Sequence, residues 1–145
     1  MNDTSLFQFI EYMLGEYPVR DGVSHPLENT LKQTVASSVG ESFKNWLMQL
    51  LENGKMDLFA DLLQLLGRLD PTEIGDWYLE VTKVALESPS ITVRDAAVSA
   101  IESWFVLFGD RKSLALLQSH HEETAWLREY IERLCLRKGE GRWVK

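Results

Sequence analysis

One cysteine among 145 residues, Cys135, rules out an intrachain disulfide, so the fold must stand on packing alone, and a reducing compartment suits it. No stretch approaches the roughly 20 consecutive apolar residues that span a bilayer. The start, Met1-Asn2-Asp3-Thr4-Ser5, lacks the basic residues and long apolar run of a secretory signal. The expectation is a soluble, cytoplasmic protein with no membrane partner. Positive charge is scarce in the body of the chain. Residues 1–70 carry ten acids against five bases and residues 71–136 eleven against six, whereas 137–145 carry one against four. A body at −10 with a tail at +3 repels a phosphate backbone, because nucleic-acid affinity rests on Lys and Arg displacing counterions. Nucleic acid is therefore not an expected partner, and a basic protein is.

Catalytic signatures are missing too. There is no phosphate-cradling glycine loop, no Gly-x-Ser-x-Gly elbow and no His-Glu-x-x-His. Cys135, beside Leu134 in an apolar helical stripe, reads as core and not as a nucleophile. His120-His121-Glu122-Glu123 invites a metal reading, but neighbours on one turn do not aim at one ion, and these residues read as a loop and helix start. No enzyme activity, cofactor or metal is expected.

What is present is helical periodicity, with no alternating strand pattern bounded by a hairpin turn. A first helix is predicted over Thr4–Leu14 with Gly15 as its stop, then a Pro- and Gly-containing loop over 16–26, then a helix over Leu27–Val39 that Gly40 separates from the next element. Beyond this N-terminal cap (1–37) the chain echoes itself every 34 residues. Phe59-Ala60-Asp61-Leu62-Leu63, Val93-Arg94-Asp95-Ala96-Ala97 and Leu127-Arg128-Glu129-Tyr130-Ile131 stand in one register. Such spacing marks stacked helical pairs. The units are 38–71, 72–105 and 106–139, with predicted pairs 41–53 and 55–68, 72–87 and 91–105, 111–119 and 122–137, and a basic tail over 140–145. Register places Leu47, Val81 and Ala115 in the core of the outer helices, and Leu63, Ala97 and Ile131 in that of the inner ones. Pro71 fits a first helical turn, and Ser88, Ser90 and Thr92 all offer hydroxyl caps between which the sequence does not choose.

The segment Glu87-Ser88-Pro89-Ser90-Ile91-Thr92-Val93-Arg94-Asp95-Ala96-Ala97-Val98-Ser99-Ala100-Ile101 resembles the second half of a HEAT repeat. The match lies in the turn proline Pro89, the Val93-Arg94 pair, and the small residues Ala96, Ala97 and Ala100 before Ile101. Trp126-Leu127-Arg128-Glu129-Tyr130-Ile131 keeps the apolar-Arg-acid step, with Tyr130 in place of a small residue; Phe59-Ala60-Asp61 lacks the arginine. Tetratricopeptide repeats share the period but not the residues, since Trp77 is followed by Glu80-Val81 and Trp46 by Gln49-Leu50 where that family wants Leu-Gly. The resemblance implies an all-α, short HEAT-like superhelix of about three helical pairs behind an N-terminal helical cap, one domain over 1–145. It also implies that Arg94 and Arg128 are structural, making ion pairs between repeats or covering a neighbouring helix with their aliphatic stems, in place of a ligand-binding row.

The candidate binding residues are acids. Asp61, Asp95 and Glu129 recur at the repeat spacing, Glu102 lies two turns beyond Asp95, and Glu132 adds a fifth. On successive inner helices they form an acidic ridge that would steer a basic partner; the competing reading is a solvated face with internal pairs Arg128–Glu132 and Glu129–Arg133. The tryptophans at 46, 77, 104, 126 and 143 are mostly expected in the core, and any exposed one is a natural interface anchor. The function expected is a non-catalytic protein-binding module with an acidic concave face. Small acidic proteins of this kind look like bacterial immunity proteins that neutralise a basic toxin. The alternatives are a scaffold or adaptor subunit, or a HEAT-like enzyme acting on nucleic acid or a cofactor.

Overall fold

A computed structural model describes residues 2–139; the tail 140–145, with Trp143, lies outside the described residues. Among them every regular element is a helix: α1 (Asp3–Glu16), α2 (Glu28–Ala36), α3 (Gly40–Glu52), α4 (Met56–Leu66), α5 (Pro71–Ile74), α6 (Trp77–Leu86), α7 (Ile91–Phe108), α8 (Lys112–Gln118) and α9 (Ala125–Gly139). No helix among the described residues is long and apolar enough to cross a membrane.

The ends of these helices follow from local chemistry. Asn2 opens α1 by accepting from the Ser5 amide at 2.8 Å. Gly15 does not stop that helix as expected. Tyr17 does, because it precedes Pro18 and is forced into extended backbone. Asp70 caps α5 with Pro71 at its first position, and Ser90, of the three candidate hydroxyls, caps α7 by accepting from the Val93 amide. The predicted outer helix 72–87 is broken in two at Gly75, whose φ of +99° and extended ψ suit only glycine. Helix α7 runs a turn past its predicted end and closes with Gly109 in the left-handed region, the Asp110 amide reaching back to the Trp104 carbonyl.

In space, α3, α6 and α8 touch in succession, α4, α7 and α9 do the same, and each of the pairs α3–α4, α6–α7 and α8–α9 is in contact; α2 sits against α3, α4 and α5, and α1 against α4. The register residues explain this. Phe59, Val93 and Leu127 are buried, as are Leu63, Ala97 and Ile131. The α4–α7 contact is the most extensive among the described residues. A Cβ built on Gly67 would stand 2.8 Å from the Ala100 Cα, so glycine and alanine here let two helices approach at their backbones. Trp104, fully buried, donates its indole N–H to the Leu66 carbonyl at 3.0 Å and ties the same two helices. Ala115 departs from expectation. It is exposed, while Ser113, Leu114 and Leu117 face inward, because the extra turn of α7 moves α8 one residue out of register. At the other end, Phe7 of α1 stacks on Trp46 of α3 (centroids 4.7 Å apart, 2° between planes), joining the N-terminal segment to the first helical pair.

Candidate functional site

Two concavities flank α7, and their charges are arranged in opposite ways. The first, of about 730 Å³, lies between the α6–α7 turn and the α8–α9 connection and includes Lys83, Arg94, His120, His121 and Glu122. Here Glu122 is buried, yet ionic. Arg94 Nε donates to its Oε1 at 3.1 Å, Arg94 Nη2 to Oε2 at 3.2 Å, His120 Nε2 to Oε1 at 2.8 Å, and the Thr124 amide to Oε2 at 3.0 Å. Burial pushes the Glu122 carboxyl up, but the bonds from His120, Arg94 and Thr124 outweigh it and hold the group at about 2. Arg94 spends its other donors on the Ser88 carbonyl and the Thr124 hydroxyl. One guanidinium thus fastens the α6–α7 turn to the start of α9. Arg128 donates to the carbonyls of Glu122 and Glu123 in the same corner. This cluster is internally satisfied, and no buried side-chain polar atom among the described residues lacks a partner. Nor does any group of three or more His, Cys, Asp or Glu among them lie where it could hold a metal.

The second concavity, of about 770 Å³, opens on the other side of α7, where α4, α7, α9 and the 17–27 loop meet. Its floor follows from helical spacing. Gln64 on α4 and Arg68 just past its end, Asp95, Ser99, Glu102 and Ser103 on α7, and Trp126 and Tyr130 on α9 recur at three or four residues and so line one side. The fourth wall is the loop, which contributes Asp21, Gly22, Val23 and Ser24. Arg68 holds it there, Nη1 donating to the Val23 carbonyl and to Glu28 Oε2 (2.7 and 2.6 Å) and Nη2 to the Arg20 carbonyl (2.7 Å). His25, buried beneath, accepts from the Leu27 amide at Nδ1 and therefore donates from Nε2 to the Tyr17 carbonyl.

Four acids line this groove, and two are engaged. Glu28 is paired with Arg68, and Glu102 accepts from the Tyr130 hydroxyl. Asp95 and Asp21 both line it, near enough for the Asp21 charge to act on Asp95, with no hydrogen bond or ion pair from either side chain among the described residues. Burial, and then the Asp21 charge, raise the Asp95 carboxyl above its ordinary range. Beside the acids lie exposed apolar groups, Leu107 (61% exposed), Trp126 (55%) and Val23 (55%).

Of the five acids singled out in the sequence, the groove brings together Asp95 and Glu102. Asp61 lies on the same stripe of α4, three residues before Gln64, half-buried near Asp57 and His25; burial first, then Asp57, raise its carboxyl against the lowering effect of His25. Glu129 is exposed on α9, three residues beyond Trp126. Glu132 lines a separate depression with His120, His121 and Cys135. Asp21, Arg68, Leu107 and Tyr130 are parts of the groove that the sequence alone does not single out. Gln64, Arg68 and Ser99 stand at helical spacing from Asp61 and Asp95, so periodicity could have found them; it could not have found the loop, which no period places. Comparison with known proteins finds no family model, no curated protein and no solved structure that matches the chain.

Proposed function

We propose that this chain is a non-catalytic protein-binding module built as a short HEAT-like array of helical pairs, which holds a basic partner against its α4–α7–α9 face. One observation carries the reading: a groove lined by Asp21 and Asp95, unpaired among the described residues, that also exposes Leu107 and Trp126. The pairing of acid with exposed aromatic and aliphatic groups suits association, in which charge speeds encounter and apolar anchors supply affinity. The succession of contacts along α3–α6–α8 and α4–α7–α9 supports the array. In its most specific form the module is a bacterial, cytoplasmic immunity protein that occludes a basic toxin.

A second reading, a scaffold or adaptor subunit, is favoured by a different observation. The last turn of α7 exposes Val106, Leu107 and Phe108 together, and α9 exposes Leu136, more apolar surface than a lone binder needs. Capture of partners on the immobilised chain from cells of its own source, with mass spectrometry, tests both. A basic protein whose association slows with salt and with Asp95→Lys supports the first reading. Acidic or neutral partners indifferent to salt would overturn it, and a multi-subunit complex held through α7 would put the adaptor in its place.

A further inference from the structure

We infer that His25 is a proton-operated latch: its neutral ring ties the two ends of the 17–27 loop together, and a proton on that ring frees the loop. The partners of the ring leave it one state. The Leu27 amide, 3.1 Å from Nδ1, can only donate, and the Tyr17 carbonyl, 2.6 Å from Nε2, can only accept. The latched imidazole is therefore neutral, with its hydrogen on Nε2. The same residue closes the turn into α2. Its carbonyl accepts from the Glu28 amide, and its amide donates to Glu28 Oε2 at 2.6 Å, the reciprocal pattern of a capping box. Serine or threonine usually opens such a box, with an acceptor that does not titrate. Here the acceptor is an imidazole, and it is buried.

A proton on Nδ1 sets two N–H groups against each other across 3.1 Å and adds positive charge at the start of a helix, where the dipole is already positive. The charged groups around the ring do not restore the bond. Glu28 is taken by Arg68 and by the His25 amide, and Arg68 is itself a cation. Asp61 on α4, with Asp57 near it, is the carboxylate on which the His25 charge acts, and it makes no hydrogen bond to the ring. It attracts a charged imidazole without replacing the contact to Leu27. A ring that turns away from Leu27 also carries Nε2 off the Tyr17 carbonyl. The loop then depends on Arg68, through the Arg20 and Val23 carbonyls, and on Val19, the one apolar side chain at 18–24 that packs on the core. A segment with so few apolar contacts opens at low cost. Asp21 would leave the groove with it, so mild acid should loosen a basic partner; that consequence alone rests on the module reading.

The free ¹⁵N-labelled chain tests the latch by NMR. At pH 7.5 the His25 ring should show a bare Nδ1 and a protonated Nε2, with the Leu27 amide protected from hydrogen exchange. At pH 5.0, acid enough to protonate a solvated imidazole, that protection, corrected for the pH dependence of exchange itself, should fall about five- to tenfold, the scale of one lost helix cap. Resonances of 17–24 should move with it, while the amides of α7 keep their protection. His25→Asn retains an acceptor two residues ahead of Leu27 and does not titrate, so its loop should not respond to acid. A hydrogen on Nδ1 at pH 7.5, unchanged Leu27 protection at pH 5.0, or an equal acid response in folded His25→Asn would overturn the latch, and the first two need no variant. No partner enters these measurements, so they stand or fall apart from the module reading. If the loop opens in acid and a captured basic partner binds equally at both pH values, the latch stands and the assignment of the groove falls.

Discussion

Glu122→Gln is the sharpest perturbation of the fold, because it keeps the shape of a buried side chain and removes only its charge. In the native protein the Glu122 carboxyl titrates at about 2 instead of its ordinary 4.5. At about 1.4 kcal/mol per pH unit, that difference corresponds to about 3 kcal/mol of stability. The folded value is depressed, so this contribution is complete above pH 4.5 and is lost as the pH falls from 4.5 towards 2. For a domain whose net stability is about 5–15 kcal/mol, the loss is a large fraction. The glutamine variant also leaves Arg94 buried without its counter-charge, and removal of one partner from such a pair costs about 3–5 kcal/mol. Urea unfolding followed by tryptophan fluorescence, which reports the buried Trp104, at pH 7, 4.5, 3 and 2 gives both quantities. The variant should be less stable by about 3 kcal/mol or more at pH 7, and the gap should narrow as the wild-type carboxyl takes up its proton. Other carboxylates titrate in both proteins and cancel in the comparison. A gap below about 0.5 kcal/mol at pH 7, or one that stays constant down to pH 2, would refute the account of Glu122 as an ionised hub.

Three further outcomes are expected. Gly67→Ala places a methyl 2.8 Å from the Ala100 Cα, where no flexible side chain can yield, and should lower stability by about 1–3 kcal/mol in the same urea assay. Asp95→Asn should raise stability at pH 7, since burial and the Asp21 charge hold that carboxyl above its ordinary range in the folded protein; the gain should disappear in acid, where the wild-type group is protonated in both states, and urea unfolding at neutral and acid pH reads it. Arg68→Ala removes two bonds to the 17–27 loop and one to Glu28 at the start of α2, and should accelerate tryptic cleavage after Arg20, measured by intact-mass analysis, with little change elsewhere.

The sequence yields what is periodic. The 34-residue echo sets Phe59, Val93 and Leu127, and again Leu63, Ala97 and Ile131, in one register, and all six are buried on their helices. It misplaces Ala115 because one added turn on α7, stabilised by the Gly109 cap, breaks the period. Contacts that no period describes are invisible to such reasoning. Arg94 is adjacent in sequence to Asp95, yet its carboxylate is Glu122, 28 residues away and across the cluster with His120. The choice between Asp95 and Glu122 depends on which side of α7 each residue faces, and only the packed structure sets that. Likewise Asp95 and Glu102 are legible as one helical stripe, whereas Asp21 reaches the groove only because Arg68 ties down a loop of otherwise unpatterned residues.

The contrast between the two sides of α7 is the physical reason for placing function in the groove. Around Glu122 the buried carboxylate is bonded by Arg94, His120 and the Thr124 amide and is held far below its ordinary range, as in a cluster that serves stability. Across the same helix, Asp95 is half-buried, lies near a second carboxylate and is pushed the other way, although serine or asparagine would fill its place without that repulsion. Arg68, the cation nearest at hand in the groove, is turned to the loop backbone and Glu28 instead of to Asp95. A charge kept at some expense to the fold, in a groove that also exposes Leu107 and Trp126, has no counter-charge among the described residues, and the proposed cationic partner would supply one. Stability at pH 7 and affinity for a cationic guest should therefore move in opposite directions on Asp95→Asn. If the variant lost both, Asp95 would belong to the fold, and the groove would have no claim as a binding site.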